Sequence, residues 1–259
     1  MLESLFAGSL EDASRRAELR SSEEIEKLAL AREKPQDAVQ IFSASNNVSV
    51  IAEIKRASPS RGLIAQIPDP AGLATVYEES GAAAISVLTE ERYFRGSLED
   101  FAEVRSKVST PLLRKDFIAS EYQVLEARAY GADIILLIVA GIPHELLIRL
   151  DKLSGDLGMR TLVETHNQAE VEFAAEIGAK LVGINARDLS TFETDRTLFA
   201  ELSHILPSDV IKVAESAVRN VDDVREYVAA GADVVLVGEA LVTGDASSLI
   251  KSFTQISKV

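Results

Sequence analysis

The chain has 259 residues, a formal net charge of -14 at pH 7 and a pI near 4.8. Because that charge repels a phosphate backbone, we expect no nucleic-acid partner. The absence of cysteine excludes disulfides and thiol catalysis, and it agrees with a reducing cytoplasm. The longest apolar run, residues 134–140, is far shorter than the ~20 residues of a membrane span, so we expect no membrane anchor.

Residues 1–47 are predicted to form a helical extension in front of the main domain. Ser21 and Glu24 have the spacing of a capping box, and the helix that they begin should end before Pro35. A weaker amphipathic pattern precedes this helix. We therefore expect two units, the extension over 1–47 and a catalytic domain over 48–259.

From Val48 onward, eight short apolar segments alternate with amphipathic segments of helix length. Most of the apolar segments are continuous, as expected for strands that are buried on both faces of a parallel sheet. The predicted strands are Val48–Ile54, Ala83–Leu88, Pro111–Phe117, Asp133–Val139, Thr161–Glu164, Leu181–Asn185, Val210–Ala214 and Asp233–Val237.

A Gly-Ala dipeptide at residues 81, 131, 178 and 231 punctuates this pattern, each time between a helical segment and the next strand. The glycine fits a helix C-terminal cap, and the alanine is expected at the first position of the strand. The dipeptides recur about every 50 residues, which allows about 25 residues for each βα unit. Eight such units predict an α/β fold, a single (β/α)8 TIM barrel. A doubly wound open sheet is the alternative, although it rarely has so even a spacing.

Polar residues follow the predicted strands at the end where barrel enzymes place their active sites. Lysine and glutamate converging on one axis would be costly to bury without a purpose. Each residue alone could instead be a solvated group or half of a structural ion pair. Arg56 and Asp116 fit that plainer interpretation, because strand alternation turns them away from the axis. The polar residues at this end are Glu53, Lys55, Lys115, Glu164, Asn185, Arg187 and Glu215. Alternate strands supply one layer of a barrel interior, so we expect Glu53 or Lys55, together with Lys115, Glu164 and Glu215, around one axis.

The loop after the seventh strand and the end of the eighth strand lie where barrels bind phosphate with backbone N–H groups. Ser216 and Ala217 occupy the first position, and Gly238 and Glu239 occupy the second. Small residues also serve ordinary turns, so each motif is weak alone. Their joint placement predicts a phosphate site.

Nothing in the sequence predicts a metal or a cofactor. The histidines, His144, His166 and His204, lack metal-ligand spacing and are expected at the surface. No phosphate-binding P-loop is present, and no Gly-x-Gly-x-x-Gly motif follows the first strand.

Several motifs, in order, resemble the indole-3-glycerol phosphate synthase family of tryptophan biosynthesis. The resemblance covers residues 48–245, and the segment 51–60 (IAEIKRASPS) is the most specific part of it. The further motifs are Val87–Glu90, Phe94–Leu98, Leu113–Phe117, Leu162–Glu164, Gly183–Arg187 and Ala214–Ser216.

The resemblance implies a cofactor-free carboxy-lyase that converts 1-(2-carboxyphenylamino)-1-deoxyribulose 5-phosphate to indole-3-glycerol phosphate. A ketone must be protonated as the aromatic carbon attacks it, and Lys115 matches the family's general acid. Dehydration must then remove a proton from nitrogen and expel a hydroxyl, and Glu164 matches the base.

The remaining site residues are given supporting roles by the same resemblance. Lys55 would pair with the substrate carboxylate or act as a second acid, and Arg187 would hold an anion or the ring. Glu53 is expected among the catalytic residues with Lys55, Lys115 and Glu164, where it would orient its neighbours. Those expected to bind or orient the substrate are Ser58, Phe94, Asn185 and Glu215.

The sequence departs from the family pattern at two phosphate-site positions. Ala217 replaces a glycine, so either the turn is right-handed or phosphate binding is weakened. Glu239 replaces a small hydroxyl residue, and its carboxylate is expected to point away from the cavity.

Two other functions stay open at this point. One is a phosphosugar isomerase or aldolase that uses a Schiff-base lysine, and the other is a non-catalytic phosphate-binding scaffold. The partner expected is a phosphorylated, carboxylated small molecule. We expect a monomer that associates at most weakly with other tryptophan-pathway enzymes.

Overall fold

The computed structural model describes residues 1–188 and 193–259, and eight parallel strands form a closed barrel within them. Nearly all strand residues are buried, because the barrel interior covers one face and the helices cover the other. The predicted (β/α)8 barrel is confirmed, and the open-sheet alternative is wrong. The strands are β1 Ser49–Ile54, β2 Ala84–Leu88, β3 Leu112–Lys115, β4 Ile134–Ile138, β5 Arg160–Thr165, β6 Leu181–Asn185, β7 Ile211–Glu215 and β8 Val234–Val237.

The barrel closes where β1 pairs with β2 on one side and with β8 on the other, Ile51 opposite Ala84 and Ser49 opposite Val234. A small antiparallel hairpin, Ala57–Ser58 with Gly62–Leu63, follows β1 at the C-terminal end of the barrel.

Helices surround the barrel and also precede it. None of those in the described ranges combines the length and the apolar character needed to span a bilayer. The extension contains α1 Leu2–Leu19, α2 Ser22–Ala31 and α3 Ala38–Ala44. The helices that follow are α4 Pro70–Glu79, α5 Leu98–Lys107, α6 Glu121–Tyr130, α7 His144–Asp156, α8 Gln168–Glu176, α9 Thr197–Leu202, α10 Val221–Ala229, α11 Glu239–Thr243 and α12 Ala246–Phe253.

The Gly-Ala dipeptides end helices, as predicted, but their alanines do not begin strands. Gly131 has a φ of 93° and its N–H donates to Arg128 O at 2.9 Å, while the N–H of Ala132 donates to Ala127 O at 2.9 Å. This is the paired hydrogen bonding of a Schellman motif, and it recurs at the other three dipeptides. Because the alanine N–H is already used by the helix, it cannot join the sheet, and β4 begins only at Ile134.

Helix α1 of the extension packs beside the C-terminal mouth of the barrel. Phe6 meets Phe117 edge to face, with ring centroids 5.4 Å apart. Arg16 Nε donates to Glu126 Oε1 at 2.7 Å, and Glu126 Oε2 accepts from the fully buried Arg114 at 3.0 Å. An ionic network therefore joins α1, α6 and β3 behind the site.

The second helix of the extension begins with the predicted capping box. Ser21 Oγ accepts from the Glu24 N–H at 3.3 Å, and the Ser21 N–H donates to Glu24 Oε2 at 2.8 Å. Helix α2 then packs Ile25 and Ala29 against Ala129 of α6. The division at residue 47 stays a prediction.

Two glycine substitutions separate backbone strain from steric crowding. Gly178 has a φ of 75° and an added Cβ would meet no atom within 4 Å, so Gly178→Ala should destabilise the fold by about 1 kcal/mol through the left-handed backbone alone. Gly155, within α7, has equally open surroundings and no positive φ, so Gly155→Ala should stabilise by about 0.5 kcal/mol. Urea unfolding of both variants measures the difference, and equal midpoints would contradict this explanation of the Gly-Ala repeat.

Candidate active site

One cavity of about 670 Å³ opens at the C-terminal ends of the barrel strands. Its size is that of a pocket for a small organic molecule. Every residue that the sequence predicts for the site lines it, and their individual roles stay predictions. They are Glu53, Lys55, Ser58, Phe94, Lys115, Glu164, Asn185, Arg187, Glu215, Ser216, Ala217, Gly238 and Glu239.

Lys115 lies at the centre of the charged part of the cavity. Its Nζ donates to Glu164 Oε2 at 2.9 Å and to Glu215 Oε2 at 2.7 Å. Strand alternation on β3 points Lys115 to the barrel axis and Arg114 outward, where Arg114 Nη2 donates to Asp116 Oδ2 at 3.0 Å. Neighbouring residues of β3 thus serve the site and the structural layer behind it, and Asp116, which follows β3, forms a structural ion pair with Arg114, in line with the plainer interpretation of that residue.

The charges around Lys115 determine which groups hold protons. Burial would lower the pKa of Lys115, but Glu164, Glu215 and Glu53 outweigh it and raise that pKa above its usual value. Burial would raise the pKa of Glu164, yet Lys115 and His166 hold that pKa well below the ordinary range. Among the described residues Glu215 has an ion pair with Lys115 alone, and its burial, together with the neighbouring Glu164, raises its pKa to about 8. At neutral pH the cluster therefore contains an ammonium, an ionised Glu164 and a protonated Glu215.

A second lysine–glutamate pair extends from β1. Lys55 Nζ lies 2.8 Å from Glu53 Oε1, and Ser86 Oγ donates to Glu53 Oε2 at 3.4 Å. Burial would raise the pKa of Glu53, but the charges of Lys55 and Lys115 lower it. Arg56, next in sequence, points away from the axis and pairs with Asp100, as predicted.

Two glycines provide the space that these carboxylates occupy. A Cβ on Gly183 would lie 1.9 Å from Glu215 Oε1, and a Cβ on Gly238 would lie 2.6 Å from Glu53 Oε1. Gly238 was predicted as a phosphate contact, whereas Gly183 was not assigned a role. A glycine within an otherwise apolar strand is the signal that could have indicated such a close approach.

The candidate phosphate site lies beside this charged cluster. Ser216 and Ala217 have φ values of 73° and 58°, so the right-handed turn allowed for Ala217 is wrong, and the alanine accepts a left-handed backbone. Asn185 Oδ1 holds the turn, since it accepts from Ser216 Oγ at 2.7 Å and from the Arg187 N–H at 3.0 Å.

Glu239, the first residue of α11, lies at the rim of the cavity. Its carboxylate forms an ion pair with Arg61 of the loop after β1. This ion pair holds the partly exposed carboxylate at the rim, and the expectation that it points away from the cavity stays a prediction.

His166 is also not the surface residue that the sequence predicted. Only 10 % of its side chain is exposed, and its ring lies between Glu164 and Glu170. Burial would lower the pKa of His166, but these two carboxylates raise it to about 9. His144 and His204 are exposed, as predicted. The missed signal was the spacing of two residues between Glu164 and His166 at the end of one strand, the same spacing that linked Glu53 and Lys55.

The opposite wall of the cavity is apolar and includes part of the extension. Phe94 and Phe117 have ring centroids 6.0 Å apart, and Leu2 and Leu5 of α1 complete the wall. Sequence reasoning missed Leu2 and Leu5, because nothing local indicates that α1 reaches the cavity.

No metal site accompanies this arrangement in residues 1–188 and 193–259, where no three histidine, aspartate or glutamate side chains are placed to hold an ion. Several positively charged side chains line the cavity, among them Lys55, Lys115 and Arg187.

Solved structures with little sequence similarity share the fold. An N-acetylmannosamine-6-phosphate 2-epimerase from Clostridium perfringens aligns with a TM-score of 0.62 at 14% identity, covering 87% of this chain and 98% of that one. A 3-hexulose-6-phosphate synthase from Salmonella typhimurium aligns with a TM-score of 0.63 at 15% identity, covering 80% and 97%. At this level of identity the likeness concerns the fold alone.

Sequence relatives are far more similar. An indole-3-glycerol phosphate synthase from Leifsonia xyli subsp. xyli is 57% identical over 253 residues, 98% of this chain and 97% of the relative. A relative of the same name from Beutenbergia cavernae is 50% identical over 243 residues, 94% of this chain and 90% of the relative. The sequence profile described as "Indole-3-glycerol phosphate synthase" matches residues 2–253. The chain therefore belongs to the indole-3-glycerol phosphate synthase family, the carboxy-lyases of tryptophan biosynthesis.

Proposed function

We propose that this member of the family forms indole-3-glycerol phosphate by general acid and base catalysis, with Lys115 as the acid and Glu164 as the base. The substrate is 1-(2-carboxyphenylamino)-1-deoxyribulose 5-phosphate, which undergoes ring closure, decarboxylation and dehydration. The observation that carries the assignment is the position of Lys115, whose Nζ lies 2.9 Å from Glu164 Oε2 and 2.7 Å from Glu215 Oε2.

Lys115 suits the acid role because the surrounding carboxylates keep it charged. An ammonium can donate a proton to a ketone oxygen as the aromatic carbon attacks the carbonyl carbon. Negative charge that develops on that oxygen is then stabilised by a cation already in place. A protonated lysine is also a poor nucleophile, which argues against a Schiff-base aldolase.

Glu164 suits the base role because it is ionised before substrate binds. Its low pKa comes from two cations, Lys115 and His166, which oppose the effect of burial. Its Oε2 lies beside Lys115, so the acid and the base can act on neighbouring atoms of one substrate. The carboxylate accepts the proton released during dehydration.

The cavity matches the two ends of the proposed substrate. The apolar wall that contains Phe94, Leu2 and Leu5 suits the aromatic ring, and Lys55 can pair with the ring carboxylate. Arg187 adds a second cation with several donors.

The phosphate would bind where the loops after β7 and β8 meet the cavity. Backbone N–H groups at Ser216 and Ala217, and at Gly238 and Glu239, are placed in barrel loops that commonly bind phosphate. Asn185 supports this end by orienting Ser216. Ser58 lies in the hairpin that follows β1 and would help order the loop over the substrate.

A non-catalytic scaffold would gain nothing from these buried ionisable groups. Glu53, Glu164 and Glu215 are all nearly inaccessible to solvent, and the first two are buried in their charged form. Burial of these groups is expensive unless the reaction uses them. We further propose that the enzyme acts in the cytoplasm as a monomer, with at most weak association with other enzymes of the pathway.

Lys115→Met should reduce turnover by about 10³-fold or more while leaving the barrel folded, because the proton donor is lost and its volume is kept. The rate is measured by the rise in fluorescence as 1-(2-carboxyphenylamino)-1-deoxyribulose 5-phosphate is converted to the indole product. Lys152→Met, at an exposed lysine that pairs with Asp156, is the matched control and should be unaffected. Turnover by Lys115→Met close to that of the control would contradict the assignment.

Borohydride treatment with substrate should trap no adduct on the unchanged protein, since Lys115 acts as an acid. A covalent adduct found by mass spectrometry on Lys115 would instead support the aldolase alternative.

Glu164→Gln should lower kcat by about 10²-fold or more, because the amide is isosteric but cannot accept the proton. Substrate affinity should change little, so the loss of activity should appear in kcat while KM stays nearly the same. Glu172→Gln, on the outer face of α8, provides the control. A Glu164→Gln variant that lost only affinity would show that this residue binds substrate rather than acting as a base.

Glu215→Gln should raise the melting temperature, and more so at pH 9 than at pH 5. The folded pKa of Glu215 lies near 8, above its unfolded value, so its contribution to stability is complete below pH 4.5 and is lost as the pH rises through 8. Glutamine mimics the protonated acid and escapes this loss. Melting curves of both proteins across this range measure the effect, and a gain independent of pH would contradict the charge assignment.

A further inference from the structure

His166 touches the proposed base from outside the part of the cavity where substrate would react. It follows β5 directly, and its Nε2 lies 3.2 Å from Glu164 Oε1. The other oxygen of that carboxylate, Oε2, accepts from Lys115 at 2.9 Å. Each oxygen of Glu164 therefore has its own cationic partner.

The other side of the histidine ring is held by the start of α8. His166 Nδ1 lies 3.3 Å from Glu170 Oε2, and the same oxygen accepts from the His166 backbone N–H at 2.8 Å. Glu170 Oε1 accepts from Asn167 Nδ2 at 2.6 Å, and Asn167 Oδ1 accepts in return from the Glu170 N–H at 3.1 Å. Both oxygens of Glu170 are engaged, so the helix cap fixes Glu170, and Glu170 fixes the ring.

The contact between His166 and Glu164 is an ion pair rather than an aligned hydrogen bond. Nε2 is buried, and its N–H does not point directly at Glu164 Oε1. The contact can therefore restrain the carboxylate and still allow a small movement when Glu164 takes a proton.

We infer that His166, clamped by Glu170, is a positioning residue that holds Oε1 of Glu164 and leaves Oε2 as the oxygen that serves Lys115 and the substrate. Without this restraint the carboxylate could rotate, and either oxygen could face Lys115. Small errors of placement in an active site can reduce rates by about 10²-fold. The inference rests on the proposed role of Glu164 as the base.

The charge of His166 has a separable effect. Lys115, Glu215 and Glu53 also face Glu164, and Glu170 is the second carboxylate beside the ring. All four are unchanged when His166 alone is replaced. Loss of the imidazolium should raise the pKa of Glu164 and move the acid limb of kcat/KM to higher pH.

The test compares His166→Met, which removes the donor, with His166→Gln, whose amide can place an N–H near the position of Nε2. We expect His166→Met to lower kcat by about 10-fold to 100-fold with KM nearly unchanged. His166→Gln should recover most of kcat, while its acid limb stays at the higher pH because the amide carries no charge. His204→Met, at an exposed histidine, is the control and should behave as the unchanged protein.

A second variant guards against misfolding. Glu170→Gln keeps the length of the side chain but replaces one of its two accepting oxygens with a donor, which loosens the hold on the histidine ring. The value of kcat should therefore fall a few-fold, and circular dichroism should show all variants folded. Normal kcat in His166→Met, or no recovery of kcat in His166→Gln, would overturn the positioning role of His166 and leave the proposed function of the protein standing. An unchanged protein that forms no indole product would overturn the proposed function as well.

Discussion

The site depends on one interaction, the pairing of the Lys115 ammonium with Glu164 and Glu215 inside the barrel mouth. Three buried ionisable groups are tolerable there because the Lys115 ammonium pairs with the ionised Glu164 and also donates to Glu215, and removal of Lys115 would leave the buried charge of Glu164 with one partner fewer. The two carboxylates differ, since Glu164 has a second cation in His166, whereas in the described part of the chain Glu215 pairs with Lys115 alone. Glu215 therefore keeps its proton, while Glu164 stays ionised and available as a base.

The barrel supplies this interaction through alternation along single strands. On β3, Lys115 points to the axis and Arg114 points outward. Arg114 and the following Asp116 belong to the ionic network that reaches Glu126 of α6 and Arg16 of α1. The helix that this network holds also contributes Leu2 and Leu5 to the cavity. Placement of the charged centre and of the apolar wall thus rests on neighbouring residues of one short strand.

The glycines show how closely the groups are packed. Gly183 and Gly238 lie where any side chain would collide with Glu215 or Glu53. At Ser216 and Ala217 the chain instead keeps side chains in a left-handed backbone, which is unfavourable for both residues. Asn185 offsets part of that strain through its contacts with Ser216 and Arg187.

Sequence periodicity was enough to predict the barrel and most of the charged residues, because strand alternation and the C-terminal ends of strands determine where Glu53, Lys55 and Lys115 point. It failed where contact depends on distant packing. Leu2 and Leu5 reach the cavity because α1 packs beside its mouth, where Phe6 meets Phe117, and His166 is held inside by contacts with Glu164 and Glu170. The alanines after Gly81 and Gly131 were placed in strands because hydrogen bonds back to the helix leave no trace in composition.

The proton on Lys115 is central to the proposed chemistry, and nitrogen NMR of the lysine side chains measures it directly. With ¹⁵N-labelled lysine, and a Lys115→Met spectrum for assignment, the Lys115 resonance should remain that of an ammonium at pH values where exposed lysines have already titrated. In a Glu164→Gln, Glu215→Gln double variant the same resonance should titrate at lower pH. A neutral amine on Lys115 near pH 8 in the unchanged protein would contradict the account.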